Sequence, residues 1–404
     1  MKNEAIFIIT DEYPYSGADA FLHDEFKEIH RTYNKVYYMP LNKKNPLGQE
    51  LPDNVEIIDC TNELKLFEPI GKIITGNLSL VLRIYLLELF RSGRFWFILT
   101  NPGTLFRKIG QGIKLSNVIE KELKKFNDEP IVYSTWMNSA ALALSILKKQ
   151  KRIKRFVFRV NGFDIFDERN PGNYMPFRVF NFSQANKVVV LSNEGYNYLL
   201  AKQIYPEKLV VNFSGIYPNP LNPFDASKIF TIVSCSNLVE LKRVDLIIES
   251  LKLCKSNIRW VHFGNGAERA KIDRLVTDLP GNICCDLLGH KTQAEIQQFY
   301  SSQPIHLFLH VSRTEGLGMA IIEAQSYGIP QMCCAAGGVV DVVTEKTGVL
   351  LPVIIEPTEL AFEIEKFIKS DWNREDIRPS IQKAFTEKFE IGKNFIEMNK
   401  LLNS

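Results

Sequence analysis

The sequence predicts an α/β protein made of two doubly wound, Rossmann-like domains that face each other across a cleft. Three observations predict it. Apolar, β-rich runs alternate with longer stretches of helical period, the pattern of parallel strands covered by helices on both faces. Twelve such runs are more than one ordinary sheet holds comfortably. A stretch without apolar period, GIYPNPLNPFDASK at 215–228, carries three prolines and reads as a linker. The expected domains are 1–214 and 215–387, with a C-terminal helix, 388–404, packing back on the first. A length of 404 residues agrees with two domains.

The elements follow in order. The first 15 residues have a short apolar run followed by acids, so 5–10 reads as a core strand and not as a signal peptide. Strands are expected at 35–39, 55–58, 130–134, 156–160 and 187–191. A second set of six is expected at 208–213, 229–235, 258–263, 284–288, 305–311 and 331–335. Helices are expected near 19–32, 114–126, 139–149, 193–202, 243–254, 266–277, 292–301 and 318–327. Residues 374–403 read as helical without further strands.

Composition narrows the class. With 45% hydrophobic and 24% charged residues, the chain is neither disordered nor coiled-coil. No clean span of about 20 apolar residues predicts a transmembrane helix. The net charge of +3 hides an asymmetry. Lys72, Arg83, Arg91, Arg94, Arg107, Lys108, Lys114, Lys121, Lys124 and Lys125 face only Glu88, Glu120 and Glu122, and KRIKR follows at 151–155. The seven cysteines form no C-x-x-C and read as buried free thiols in a reducing cytosol. His306 and His310 share a strand face about 13 Å apart, too far to hold one metal ion.

The strongest local signal is SRTEGLGMAIIEAQSYGIPQMCCAAGG, 312–338. A strand ends near Ser312, a Gly316–Leu317–Gly318 turn follows Glu315, and a helix carries Glu323. Glycines let backbone N–H groups approach a ligand, and a helix start offers unpaired donors and partial positive charge, suited to a diphosphate. Glu323 stands about 7.5 Å along the helix from Gly318. It would reach a ribose diol while Glu315 reaches hydroxyls on the other side. An ordinary strand–turn–helix with two solvated acids is the competing reading. Three further pieces precede it. SCSNLVELKRVDLIIESL (234–251) places Lys242 and Arg243 at a helix entrance, where a lysine is either a phosphate ligand or plain surface. HFGNGAERAKI (262–272) runs a strand into Gly264 and Gly266, and LLGHKTQAEIQQFYSS starts a helix after His290 and Lys291.

Together these motifs resemble the nucleotide-sugar-binding domain of the family-4 retaining glycosyltransferases, whose fold is called GT-B. EGLGMAIIEA matches the E-x7-E element, followed by Gly328-Ile329-Pro330 and the Gly337-Gly338 turn; Lys242-Arg243-Val244-Asp245 matches K-G/R-V-D, and Phe263-Gly264-Asn265-Gly266 matches I-G-D-G. In the first half, FRVNGFDIFDERNPGNYMPFR (158–178) and TDEYPYSGADAFLHDEF (10–26) resemble segments of capsule and exopolysaccharide members, with Gly17 near the diphosphate. The resemblance implies that Glu323 binds the ribose, Glu315 touches the donor sugar, and Lys242 neutralises the departing diphosphate. It implies backbone contacts from Gly316, Leu317, Gly318, Met319 and Ala320, and base contacts around His290 and Lys291. Two positions depart from the family: Asn237 stands where an arginine is usual, so that Arg243 is the nearest substitute cation, and Asn161 stands where a histidine is usual. Asn161 either bonds a sugar hydroxyl or holds a turn; Asp164 is expected to cap the same loop.

The resemblance implies a hexose-type transferase, metal-independent and without a cofactor beyond its UDP- or GDP-linked co-substrate. Its acceptor would be a glycan or lipid-linked saccharide in capsule or exopolysaccharide assembly, at a cytoplasmic or peripheral-membrane location. The apolar run 76–90 followed by Arg91, Arg94, Phe95, Trp96 and Phe97 reads either as a core helix or as an insertion that meets an anionic membrane surface. No nucleic-acid motif is present. The rival readings are a nucleotide-sugar epimerase or phosphorylase on the same fold, and a glycosyltransferase-like partner that binds without turnover.

Overall fold

The computed structural model describes residues 3–15, 19–43, 46–47, 50–65, 70–226 and 228–404. Gly17, expected near a diphosphate, lies outside them. The chain divides into two compact units, residues 1–214 with 392–404, and residues 215–391. Each holds one all-parallel sheet.

The first sheet has seven strands in the order β3-β2-β1-β4-β5-β6-β7. They are β1 (Asn3–Thr10), β2 (Tyr33–Pro40), β3 (Val55–Ile57), β4 (Ile131–Ser134), β5 (Val157–Val160), β6 (Lys187–Val190) and β7 (Leu209–Val211). Central strands such as β1 and β5 are buried on both faces because helices cover both, which is why they read as unbroken apolar runs. The helices of this unit are α1 (His23–Thr32), α2 (Thr61–Lys65), α3 (Ile70–Gly76), α4 (Leu78–Arg91), α5 (Phe95–Thr100), α6 (Pro102–Leu123), α7 (Ser139–Lys149), α8 (Gly162–Ile165), α9 (Arg178–Gln184) and α10 (Asn193–Ala201). Five of them, α2 to α6, fill the stretch between β3 and β4 that periodicity leaves mostly unassigned. Their inner faces make a separate core: Val81, Ile84, Ile98, Leu105 and Ile109 pack with Leu142, Ile146 and Phe180. At Gly112 a Cβ would lie 2.7 Å from Leu142 Cδ2, so α6 crosses α7 closely at that glycine.

The second sheet has six strands in the order β10-β9-β8-β11-β12-β13. They are β8 (Phe230–Cys235), β9 (Ile258–Phe263), β10 (Ile283–Gly289), β11 (Leu307–His310), β12 (Gln331–Cys334) and β13 (Gly348–Leu351). The covering helices are α11 (Val244–Leu251), α12 (Arg269–Val276), α13 (Gln293–Ser302), α14 (Met319–Ser326), α15 (Val339–Val342), α16 (Pro357–Ile368) and α17 (Arg378–Phe389). A last helix, α18 (Ile391–Asn403), ends the chain. It packs Met398 and Leu402 inward, and Asn399 Oδ1 accepts from Tyr33 Oη at 2.8 Å.

Three expectations need correction. The run near 208–213, expected in the second set of strands, forms β7, which pairs with β6 and closes the first sheet. The sixth strand of the second sheet is β13, a four-residue edge strand that the sequence reading does not assign. Residues 215–226 also do more than link. Asn222 is buried in the second unit, where its Oδ1 accepts from Arg378 Nη1 at 3.0 Å and Ile305 N at 3.0 Å. All seven cysteines are free, but only four are buried: Cys235 and Cys285 are half-buried, and Cys284 is exposed on the edge strand β10.

Candidate functional site

In the second sheet, chain order reverses between β8 and β11, which are neighbours. Loops leaving the carboxyl ends of two such strands diverge and leave a crevice, the usual ligand position in open parallel sheets. Lys242 comes from the loop after β8 and Glu315 from the loop after β11. They form an ion pair with each other. His310, the last residue of β11, adds a hydrogen bond from Nε2 to the same Oε1 of Glu315 at 2.7 Å. Burial would push the Glu315 carboxyl up, but the Lys242 ammonium and His310 outweigh it and hold the group well below the usual carboxylate range. Glu315 is therefore a fixed, buried anion whose charge is set by two partners.

The two loops are stapled together. Arg313 N donates to Leu241 O at 3.0 Å, and Arg243 Nε donates to Val311 O at 2.7 Å. Arg243 takes a left-handed backbone, φ 50°, to begin α11, and its Nη2 also approaches Cys334 Sγ at 3.3 Å. Its guanidinium thus serves the loop junction. Asn237 is exposed on the same β8 loop.

Glycines allow further crossings. A Cβ on Gly338 would stand 2.1 Å from Gly316 O, and one on Gly337 would stand 2.2 Å from Glu315 O. The turn before α15 thus lies directly against the backbone of Glu315 and Gly316. Gly266 meets Leu238 O in the same way, at 2.3 Å, and Gly264 also approaches the β8 loop at Ser236. Gly318, at φ 93°, starts α14, and its carbonyl accepts from Ile321 N at 2.9 Å. Leu317 is buried, so its side chain anchors the turn, while Gly316, Met319 and Ala320 are half-buried at the start of α14. The first-turn N–H groups of a helix lack intrahelical partners and favour an anion. Glu323 lies farther along α14, half-buried. Its carboxylate adds to burial in pushing the Cys235 thiol up to about 12 and the Tyr327 hydroxyl up to about 12.

The structure therefore joins Lys242, Arg243 and Glu315, with the start of α14 following directly. His290 and Lys291 follow the edge strand β10, two strands away from β8. His290 is exposed, and Lys291 Nζ pairs with Glu295 at 2.8 Å.

In the first unit, Asn161 caps α8. Its Nδ2 donates to Thr135 O at 3.0 Å, and its backbone N donates to Asp164 Oδ2 at 3.0 Å. The Oδ1 of Asn161 is a buried acceptor with no donor among the described residues. Asp164 is the loop brace that the sequence suggests. Burial pushes its carboxyl up to about 6, although the N–H groups of Asn161 and Met137 oppose the shift. Arg159, from the same motif, is fully buried and pairs with Glu25 while donating to Tyr133 Oη at 2.9 Å.

Two residues escape sequence reasoning. His310 is one. The other is Asp19, which gathers the loop after β1: its carboxylate accepts from Glu12 N at 2.8 Å, Thr135 Oγ1 at 3.0 Å and Trp136 Nε1 at 2.8 Å. An acid between small residues, G-A-D-A, gives no hint except its place just before a helix.

Comparison with known proteins fits this geometry. Residues 223–384, within the second unit, match the family described as Glycosyl transferases group 1. The fold as a whole is GT-B. The chain is similar to the crystal structure of Anabaena Alr3699/HepE in complex with UDP and glucose, with a TM-score of 0.68 at 16% identity, covering 98% of this chain and 99% of that one. It is 30% identical over 175 residues to the UDP-N-acetylglucosamine–peptide N-acetylglucosaminyltransferase GtfA subunit of Streptococcus parasanguinis, over 41% of this chain and 33% of that protein. It is 26% identical over 174 residues to the phosphatidylinositol N-acetylglucosaminyltransferase gpi3 subunit of Schizosaccharomyces pombe, over 40% of this chain and 37% of that protein. The match thus spans less than half the length of these curated relatives.

Proposed function

We propose that the chain is a retaining, family-4 glycosyltransferase that moves a sugar from a UDP- or GDP-linked donor to a glycan acceptor. The observation that carries this reading is the buried Glu315, held by Lys242 and His310 beside the start of α14. A UDP-bound neighbour of the same fold and a relative named for UDP-N-acetylglucosamine support a UDP-linked donor. The relative named for phosphatidylinositol supports a lipid-linked acceptor. The likeness of 158–178 to capsule and exopolysaccharide enzymes supports surface-glycan assembly at the cytoplasmic face of a membrane.

In this reading the sugar lies against Glu315, the diphosphate at the start of α14, and the ribose toward Glu323. The bond from the anomeric carbon to the phosphate oxygen breaks as the acceptor oxygen bonds the same face. The acceptor's proton passes to the departing phosphate. Negative charge grows on the diphosphate, which in this reading meets Lys242 and the helix N–H groups, so the transition state gains more than the ground state. Positive charge grows at the anomeric carbon, near the Glu315 carboxylate. The positive charge facing the leaving group comes from these groups and not from a metal ion, and no cofactor enters beyond the donor.

A second reading, a partner that binds nucleotide-sugar without turnover, draws on two observations. Asn161 is buried and committed to Thr135, and Arg243 is committed to Val311. One experiment addresses both. A nucleoside diphosphate at 100 times its dissociation constant adds about 2.7 kcal/mol of stability. Thermal unfolding with UDP and GDP is expected to show that shift for one of them. Lys242→Ala is expected to lower sugar transfer by about 10²–10³-fold with the fold intact. No shift with any nucleotide overturns the donor site. A shift without release of nucleoside diphosphate, across a panel of acceptors, establishes the non-catalytic reading.

A further inference from the structure

We propose that the outer face of α4 and α5 docks the first unit onto a membrane surface that carries anionic lipid. Leu78, Leu82, Leu86 and Phe90 stand one turn apart along α4, with 53%, 42%, 47% and 68% of their surfaces exposed. Trp96 of α5 extends the ridge at 75%. The Phe95 ring joins the two helices, 6.1 Å from the Phe90 centroid and 5.4 Å from that of Trp96. Apolar residues scattered singly on a surface need no explanation, but a continuous ridge does.

The inner face of α4 shows that the ridge is oriented outward by the fold. Val81, Ile84 and Leu89 are buried in the helical core. Glu88 is fully buried and accepts from Tyr174 Oη and from Phe177 N at 3.0 Å. Rotating α4 to hide the ridge would strip a buried carboxylate of its donors.

Charge selects the partner. From 70 to 119 the sequence has seven cations, Lys72, Arg83, Arg91, Arg94, Arg107, Lys108 and Lys114, and a single acid, Glu88. That acid is the buried one, so the stretch presents no carboxylate to solvent. Arg83, Arg91 and Arg94 are exposed beside the ridge. Leucine and aromatic side chains next to uncompensated arginines suit the acyl–headgroup boundary of an anionic leaflet. A second copy of this chain would bring the same cations and be repelled. Beside the first turns of α4, a cavity of about 750 Å³ is lined by Leu78, Leu80, Ile84, Leu87, Arg83 and Lys149. Its walls mix these apolar groups and two cations with neutral polar side chains such as Gln150 and Gln184, and no carboxylate is among the lining residues. Among the described residues no helix is long and apolar enough to cross a membrane, and the attachment proposed lies along the surface.

The full chain is tested by sedimentation with phosphatidylcholine vesicles, with and without phosphatidylglycerol. Pelleting is expected with the anionic vesicles and release at high salt. A blue shift of tryptophan emission should accompany binding and be lost in Trp96→Phe. The triple variant R83Q/R91Q/R94Q is expected to weaken anionic binding by about fivefold per charge. Phe90→Ser with Trp96→Ser should release the protein from vesicles. No binding to anionic vesicles, or unchanged binding by both variants, overturns the proposal. So does a dimer that the Phe90→Ser/Trp96→Ser variant dissolves while vesicles are ignored, which would assign the ridge to a second copy. Nucleotide stabilisation measured on the same samples reports folding and separates failure of this surface from failure of the donor reading.

Discussion

Glu315 sits where a lone carboxyl would take up a proton. Lys242 and His310 keep it ionised. His310 also lies nearly parallel to Phe308, with ring centroids 6.5 Å apart. His310→Phe keeps an aromatic ring but removes the hydrogen bond, leaving Lys242 as the remaining partner of Glu315 in this cluster. We expect a loss of about 1–3 kcal/mol in chemical unfolding. An unchanged unfolding midpoint would show that the bond adds nothing. Sequence reasoning finds Glu315 and Lys242, because their spacing from glycines and a helix start is local. It cannot find His310, because strand alternation pairs that residue with His306. The contact forms only because the chain turns back after β11 and returns Glu315 to the strand end.

At the level of elements, the glycines have two duties that look alike in sequence. Gly318 starts a helix with a left-handed backbone. Gly338 has an ordinary φ of −64° and is needed because Gly316 lies against it. Gly338→Ala must displace a backbone carbonyl and not a flexible side chain. It is expected to cost about 1–3 kcal/mol in thermal or chemical unfolding, and to weaken nucleotide binding through the Glu315 loop. Tolerance of alanine there would mean that the two loops separate easily. The strands of both sheets other than β13 are legible as apolar runs with β-rich composition, although the run that forms β7 does not show which sheet it joins. The helices from Thr61 to Thr100 are less so, because the outer face of α4 is apolar too, and its period blurs. Only the third dimension separates the buried Ile84 from the exposed Leu82.

For the whole molecule, acid sensitivity follows from buried imidazoles. Burial lowers His23 and His306, and lowers His30 and His262 to about 4, from an ordinary 6.5. The unfolded chain takes up protons as pH falls through 6.5, while the folded chain does not until about 4 for His30 and His262. Stability therefore falls with pH across that window. Asp164 and Glu88 act in the opposite sense: burial raises both carboxyls, Asp164 to about 6 from the ordinary 3.8, so the folded form gains as they protonate. The four histidines outnumber these two carboxyls, and the net slope remains downward toward acid. His262→Asn is expected to reduce the loss between pH 7.5 and 5 by about 1–2 kcal/mol, read from denaturant midpoints. An equal loss in the variant would remove His262 from the account.

The return of α18 to the first unit has a consequence for biogenesis. A ribosome releases residues 1–214 early, but Asn394, Asn399 and Asn403, which bond Asn212, Tyr33 and Arg155, emerge only after all of 215–391. At about 5–20 residues per second, the first unit waits on the order of ten seconds or more without its closing helix. Throughout that interval the second unit is free to fold, so the unit begun second can be finished before the unit begun first.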